Sequence, residues 1–157
     1  MLIQASCVCG SVRFQVEADA PTPYLRCYCS ICRKTAGSGG YAINLGARAD
    51  SLQVQGEEHV RSFQAPLPDG RSSPARRHFC GRCGSPLWVA DPRWPALVHP
   101  YAGAVDTPLP PPPERVHMML QSRAPWVAVE GAAGDTCFDT YPDQSLADWH
   151  LTHGDPR

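Results

Sequence analysis

Phe79-Cys80-Gly81-Arg82-Cys83-Gly84-Ser85-Pro86-Leu87-Trp88 decides how the rest of the chain is read. Two residues between cysteines let both thiolates meet one ion in a tight turn. The glycine that follows can take positive φ and let backbone N–H groups point at sulfur. Arg76 to Cys80 and Pro86 to Ala90 flank the pair, which predicts a hairpin with metal ligands at its tip. Cys7-Val8-Cys9-Gly10 repeats the Cys-Gly ending, and Cys27-Tyr28-Cys29-Ser30-Ile31-Cys32 packs three sulfurs into six residues. Seven of the eight cysteines therefore fall into three tight clusters, and Cys137 stands apart.

A lone C-x2-C is a weak signal, but three clusters in one short chain point strongly to metal. The Met1 to Gly10 stretch is too short and too broken for a signal peptide, so the expected compartment is the reducing cytoplasm, where disulfides are rare. The seven thiolates divide most naturally as four plus three. Cys27, Cys29 and Cys32 can hold one ion by themselves. Cys7/Cys9 and Cys80/Cys83 then join across about 70 residues and tie an N-terminal strand to a mid-chain hairpin. The other pairing puts Cys29/Cys32 with Cys80/Cys83 in one zinc-ribbon-like site, with Cys7, Cys9 and Cys27 spare or in a second structural site. A structural zinc wants four closed ligands, whereas a catalytic zinc keeps one position open.

Length and charge bound the remaining possibilities. The 157 residues suit one domain, 1–157. A net charge of −1 argues against a nucleic-acid partner, and no apolar run is long enough to span a membrane. With 43% hydrophobic and 18% charged residues, the chain can bury a core. Thirteen glycines and 17 prolines break long helices and favour short strands with long loops. Strands are expected at Val12 to Glu17, Tyr24 to Tyr28, Tyr41 to Leu45, Ser51 to Val54 and His59 to Gln64. Further strands are expected at Leu97 to Val105, Val116 to Leu120 and Trp126 to Val129. Pro21-Thr22-Pro23 should end the first of these, and Pro108 to Pro113 should be an extended surface connection. The late helix is Ser145 to His150, capped by Asp143 or Ser145. The fold class is mostly β with little helix.

The combined clusters resemble the glutathione-dependent formaldehyde-activating enzyme family, which includes centromere protein V. The matching segments are Ser6 to Phe14, Cys27 to Lys34 and Phe79 to Trp88, with a thin match as far as Tyr141-Pro142. The resemblance implies a zinc-stapled set of antiparallel β-sheets, a β-tent. It implies a structural zinc on Cys7, Cys9, Cys80 and Cys83. It also implies a second, catalytic zinc on Cys27, Cys29 and Cys32, two zincs per chain in all, with glutathione as substrate or cosubstrate and a small aldehyde as its partner. Tyr28 stands where family members often carry histidine.

Three thiolates on one Zn²⁺ leave a net charge of about −1 by formal counting, which makes water activation unfavourable. Deprotonating an incoming thiol fits better. The expected activity is that of a carbon–sulfur lyase acting on a glutathione–formaldehyde adduct. The alternatives are a thiol-binding zinc protein without turnover and a structural zinc domain that engages a macromolecule. A homo-oligomer is compatible with either. Arg26, Arg33 and Lys34 flank the triple cluster and can offset its charge, pair with glutathione carboxylates, or simply face solvent. Cys137 is expected in the core. His78 is expected on a strand surface, Arg71, Arg76 and Arg77 on a solvated loop, and the four tryptophans in the core or as loop anchors. Any tryptophan near the open zinc, and less strongly Tyr41, would line a ligand pocket.

Overall fold

The computed structural model describes all residues except Ala20, Pro21, Pro113, Glu130 and 154–157, with the side chain of His153 also outside it. The expected breaker at Pro21 and the end of the proline run at Pro113 therefore lie outside the described residues. The strands are β1 (Leu2–Ser6), β2 (Arg13–Glu17), β3 (Tyr24–Cys27), β4 (Ala42–Asn44), β5 (Ala47–Arg48) and β6 (Gln53–Gln55). They continue with β7 (Val60–Phe63), β8 (Arg76–Cys80), β9 (Pro86–Ala90), β10 (Leu97–Pro100), β11 (Arg115–Met118) and β12 (Thr136–Cys137). Two α-helices, α1 (Ser30–Ala36) and α2 (Leu146–His153), complete the described elements apart from single 3₁₀ turns. The protein is mostly β, in line with the short strands that its glycine and proline content favours. No helix among the described residues is long and apolar enough to cross a membrane.

Three sheets form, ordered β1-β2-β6, β5-β10-β9-β8-β7 and β12-β11-β3-β4. The first two are antiparallel throughout. In the third, β3 pairs antiparallel with β4, while β11 lies parallel to β3 and β12. Alternation sets the core. Ile3 and Ala5 of β1 and Phe14 and Val16 of β2 turn inward while their neighbours face out. They meet Leu87, Trp88 and Val98 of the five-stranded sheet. Phe14 and Trp88 pack edge to face with centroids 4.9 Å apart.

The hairpin β8–β9 occupies the predicted residues and carries Cys80 at its end. Other boundaries differ for local reasons. Val116 to Leu120 stops being strand at Met118, because Met119 takes φ 63°. Leu97 to Val105 is strand only to Pro100, and Ala102–Ala104 then coils into a 3₁₀ turn. Ser51 and Leu52 precede β6 because Ala49–Ser51 is also a 3₁₀ turn. Trp126 to Val129 forms no strand. The Val127 N–H closes a turn on the Ala124 carbonyl and the Val127 side chain is buried. β1 is a five-residue strand whose apolar alternation is too short to mark it in the sequence. Helix α1 was hidden by its own cysteines. Cys29 is its N-cap, and its sulfur accepts from the Cys32 N–H at 3.3 Å.

Candidate metal centres

The four-plus-three division of the sulfurs is the one the fold produces. The ligand atoms of Cys7, Cys9, Cys80 and Cys83 lie within 4.8 Å of one another, and so do those of Cys27, Cys29 and Cys32. The zinc-ribbon-like pairing of Cys29/Cys32 with Cys80/Cys83 does not form.

Two similar turns build the quartet. The Gly10 N–H reaches the Cys7 carbonyl at 2.9 Å, and the Gly84 N–H reaches the Cys80 carbonyl at 2.8 Å. Both glycines take positive φ, 71° and 77°, as the Cys-Gly endings predict. The Val12 N–H points at Cys7 Sγ at 3.2 Å. Ser85 Oγ joins the turns, accepting from the Val8 N–H at 3.1 Å and lying 3.2 Å from Cys83 Sγ. Burial pushes the Cys80 thiol up to about 11, whereas Ser85, through side chain and backbone, draws Cys83 down to about 5. A set of thiols that cannot all ionise unaided is what a dication resolves, and four sulfurs close a structural site.

The trio is assembled by an element change. Cys27 ends β3, Cys29 caps α1 and Cys32 completes its first turn. Cys27 and Cys32 are buried and Cys29 half-buried. Hydrogen bonds from Cys27 and Cys32 draw Cys29 far below the usual thiol range, while the bond with Cys29 holds Cys27 far above it. One negative charge is welcomed and the next opposed, so this donor set also fits a soft dication. With three sulfurs, it leaves room for an exchangeable ligand.

The trio lies on the wall of a cavity of about 510 Å³ between the four-stranded and five-stranded sheets. Leu25, Val116 and Met118 line one side, Val89 and Arg77 the other, and the segment from Phe138 to Trp149 also contributes. Of the tryptophans, Trp94 and Trp149 reach this wall. Trp88 is core, and Trp126 is exposed. Tyr41 is not in the wall. It packs against Tyr28 and under the Arg26 guanidinium, 4.8 Å from its ring centroid.

Several expectations are revised here. Arg26, Arg33 and Lys34 do not line the cavity; Arg77 and Arg93 do. Arg77, read as part of a solvated loop, is buried on β8. His78 is half-buried and stacks on Trp88, centroids 4.9 Å apart. Cys137, expected in the core, is exposed because it sits on edge strand β12. The patterns near the cysteines gave no hint of the cavity's other wall, which comes from distant strands.

Tyr28 turns away from the cavity and is fully buried. Its hydroxyl lies 2.8 Å from His117 Nδ1, and His117 Nε2 lies 3.3 Å from Asp135 Oδ2. Asp135 also accepts from Arg115 Nε at 3.0 Å and from the Ala132 N–H at 2.9 Å. Burial would raise its pKa, but these donors overcome that and hold it well below the carboxylate range. An ionised Asp135 can only accept, so His117 Nε2 carries the proton that faces it. The residue in the family's histidine position is thus a buried anchor behind the trio.

Known proteins resemble this chain in sequence and in fold. The family model described as "Glutathione-dependent formaldehyde-activating enzyme" matches residues 2–122. A Halomonas elongata protein named "Putative glutathione-dependent formaldehyde-activating enzyme" is 58% identical over 154 residues, covering 98% of each chain. A Rhodobacter sphaeroides protein of known crystal structure superposes with a TM-score of 0.54 at 27% identity, over 68% of this chain and 91% of its own.

Proposed function

Because the chain belongs to the glutathione-dependent formaldehyde-activating family, we propose that it is a zinc-dependent enzyme of the carbon–sulfur lyase type. It takes glutathione, or a similar small thiol, and its adduct with formaldehyde or another small aldehyde. One observation carries the reading: a cluster of three sulfurs, with no fourth protein ligand among the described residues, opens onto a cavity.

Cys7, Cys9, Cys80 and Cys83 would hold a structural zinc, and Cys27, Cys29 and Cys32 a reactive one. A zinc held there would supply a Lewis-acidic position that favours the deprotonated form of a thiol. The protein's residues do the rest. The Cys29 sulfur is oriented by the Cys32 N–H, and Cys27 is fixed by its strand neighbours in β4 and β11. Arg77 places a positive charge near the Cys32 sulfur and favours its ionised form. The apolar walls exclude water that would compete for the aldehyde. Eight free cysteines suit a reducing compartment such as the cytoplasm, and we assign the whole activity to a single domain, 1–157.

The test is the rate of S-hydroxymethylglutathione formation or breakdown, followed by exchange NMR with loaded protein. Acceleration over the spontaneous reaction that disappears in Cys29→Ser supports the reading. Thiol binding without acceleration would leave a carrier, not an enzyme.

A further inference from the structure

The sheet that carries the trio has two faces, and side chains alternate between them along β3 and β11. Leu25, Cys27 and Cys29 line the cavity, as do Val116 and Met118 of β11. Tyr28 and His117, which lie between them in sequence, do not. Both are on the opposite face, 1% and 0% exposed. Cys29 keeps an extended backbone, φ −61° and ψ 154°, before α1 begins. The alternation therefore runs from Cys27 through Tyr28 to Cys29. Whatever fixes Tyr28 on the far face fixes two of the three sulfurs on the near one.

Two hydrogen bonds hold Tyr28, both to β11. Its N–H donates to the Met118 carbonyl at 3.0 Å, one step past the last paired residues of β3 and β11. Its hydroxyl lies 2.8 Å from His117 Nδ1. The ring packs on Tyr41, centroids 5.0 Å apart, and shares an apolar cluster with Ala124 and Val127.

His117 is held at its other end, with Nε2 3.3 Å from Asp135 Oδ2. Asp135 is fastened in turn by Arg115 Nε, the Arg115 N–H and the Ala132 N–H, at 3.0, 3.2 and 2.9 Å. A buried polar chain is rigid when every member has a partner, and this one is complete. Packing alone does not call for it, since phenylalanine at position 28 would fill the same ring space and need no acceptor or donor. None of Tyr28, His117 and Asp135 reaches the cavity, so the chain can act on its chemistry only through the sulfurs.

We propose that Tyr28 is a positioning residue for the trio: its hydroxyl, held by His117 and Asp135, sets how Cys27 and Cys29 present their sulfurs to a metal ion. This rests on the reading of the trio as a metal site, and not on the reaction carried out there. Without the hydroxyl contact, the turn from β3 to α1 gains freedom. Ordering it then becomes a cost of binding metal.

The test uses the full-length chain loaded with cobalt, whose visible spectrum reports thiolate coordination. The trio's share of the spectrum is the part lost in Cys29→Ser. The parent is expected to take two cobalt ions per chain. Tyr28→Phe removes one oxygen and keeps the ring. It should hold the trio's ion about three- to tenfold less tightly in competition with a chelator, the worth of one hydrogen bond. The trio's bands should shift, while the affinity and bands of the quartet stay as in the parent.

His117→Gln is the second variant. Its amide reaches the place of Nε2 and keeps Asp135 paired, but leaves the Tyr28 hydroxyl without its partner. The same selective loss is expected. Unchanged trio affinity and bands in either folded variant overturns the proposal. So does equal weakening of both sites, which would make the contact a general support of the fold. A parent that takes one cobalt ion per chain overturns the metal reading of the trio, and the proposal with it. Two ions in the parent with unaffected variants overturns the proposal alone.

Discussion

Cys9 Sγ lies 3.8 Å from Cys80 Sγ, although 71 positions separate them along the chain. The pair brings the β1–β2 turn onto the end of β8, joining two sheets at one point. Cys80 is fully buried there. Replacing Cys80 by serine should therefore unfold more than one turn. The expected loss is about 2–5 kcal/mol, comparable with removing a cross-link that closes a long loop. Urea unfolding of metal-loaded parent and variant measures it. A variant as stable as the parent would show that the quartet carries no structural metal.

Cys29→Ser should behave differently. Serine is also a good N-cap, so α1 keeps its first turn while the trio loses a ligand. The expected result is unchanged unfolding with one metal per chain instead of two, read by native mass spectrometry. If Cys29→Ser and Cys80→Ser lose metal and stability alike, the two sites do not have separate roles.

Asp135 makes stability depend on pH with a definite sign. Its folded pKa is depressed below the ordinary 3.8, so its contribution is present above that value. It is lost as pH falls below 3.8 toward the folded pKa. Asp135→Asn should cost about 1.5–3 kcal/mol near neutrality, the range for hydrogen bonds to a charged group. The gap between parent and variant should shrink as the buffer is taken from pH 5 to pH 3. Comparing the two proteins cancels any loss of metal that acid causes in both. A gap that is constant or grows would contradict the assignment of an ionised Asp135.

Gly46 lies under the C-terminal helix. A Cβ there would sit 2.5 Å from Leu146 Cδ2 and 3.1 Å from His150 Cε1. Leu146 can swing aside for a methyl group, but a branched side chain has no room. Gly46→Val should lift α2, break the 2.8 Å bond from His150 Nε2 to the Thr22 carbonyl, and open the cavity. Hydrogen exchange over Leu146–His153 should speed up while metal content stays the same. Unchanged exchange would mean that α2 docks without this contact.

The parts of this molecule that could be read from sequence are those set by neighbouring residues. The β8–β9 hairpin, the positive φ of Gly10 and Gly84, and the Ser145 cap, whose Oγ accepts from the Asp148 N–H at 3.1 Å, all follow from short patterns. The division of the sulfurs was favoured by the density of the triple cluster, which leaves two pairs to meet each other. The cavity was not legible, because its walls come from β3, β8, β9 and β11 and no local signal links Arg77 to Cys32. Cys137 was misplaced for a related reason. Cysteine is usually buried, but β12 is an edge, and edge position is a property of topology and not of residue type.

The three-sulfur floor of the cavity and its roof come from separate stretches of chain, with the trio's sulfurs all before Ala42 and the roof, Phe138 to Trp149, after residue 122. Such an arrangement is modular. Substitutions confined to this roof segment would reshape it while leaving the three sulfurs and the strands that hold them in place. Grafting tails between relatives then becomes a direct way to move selectivity from one member to another.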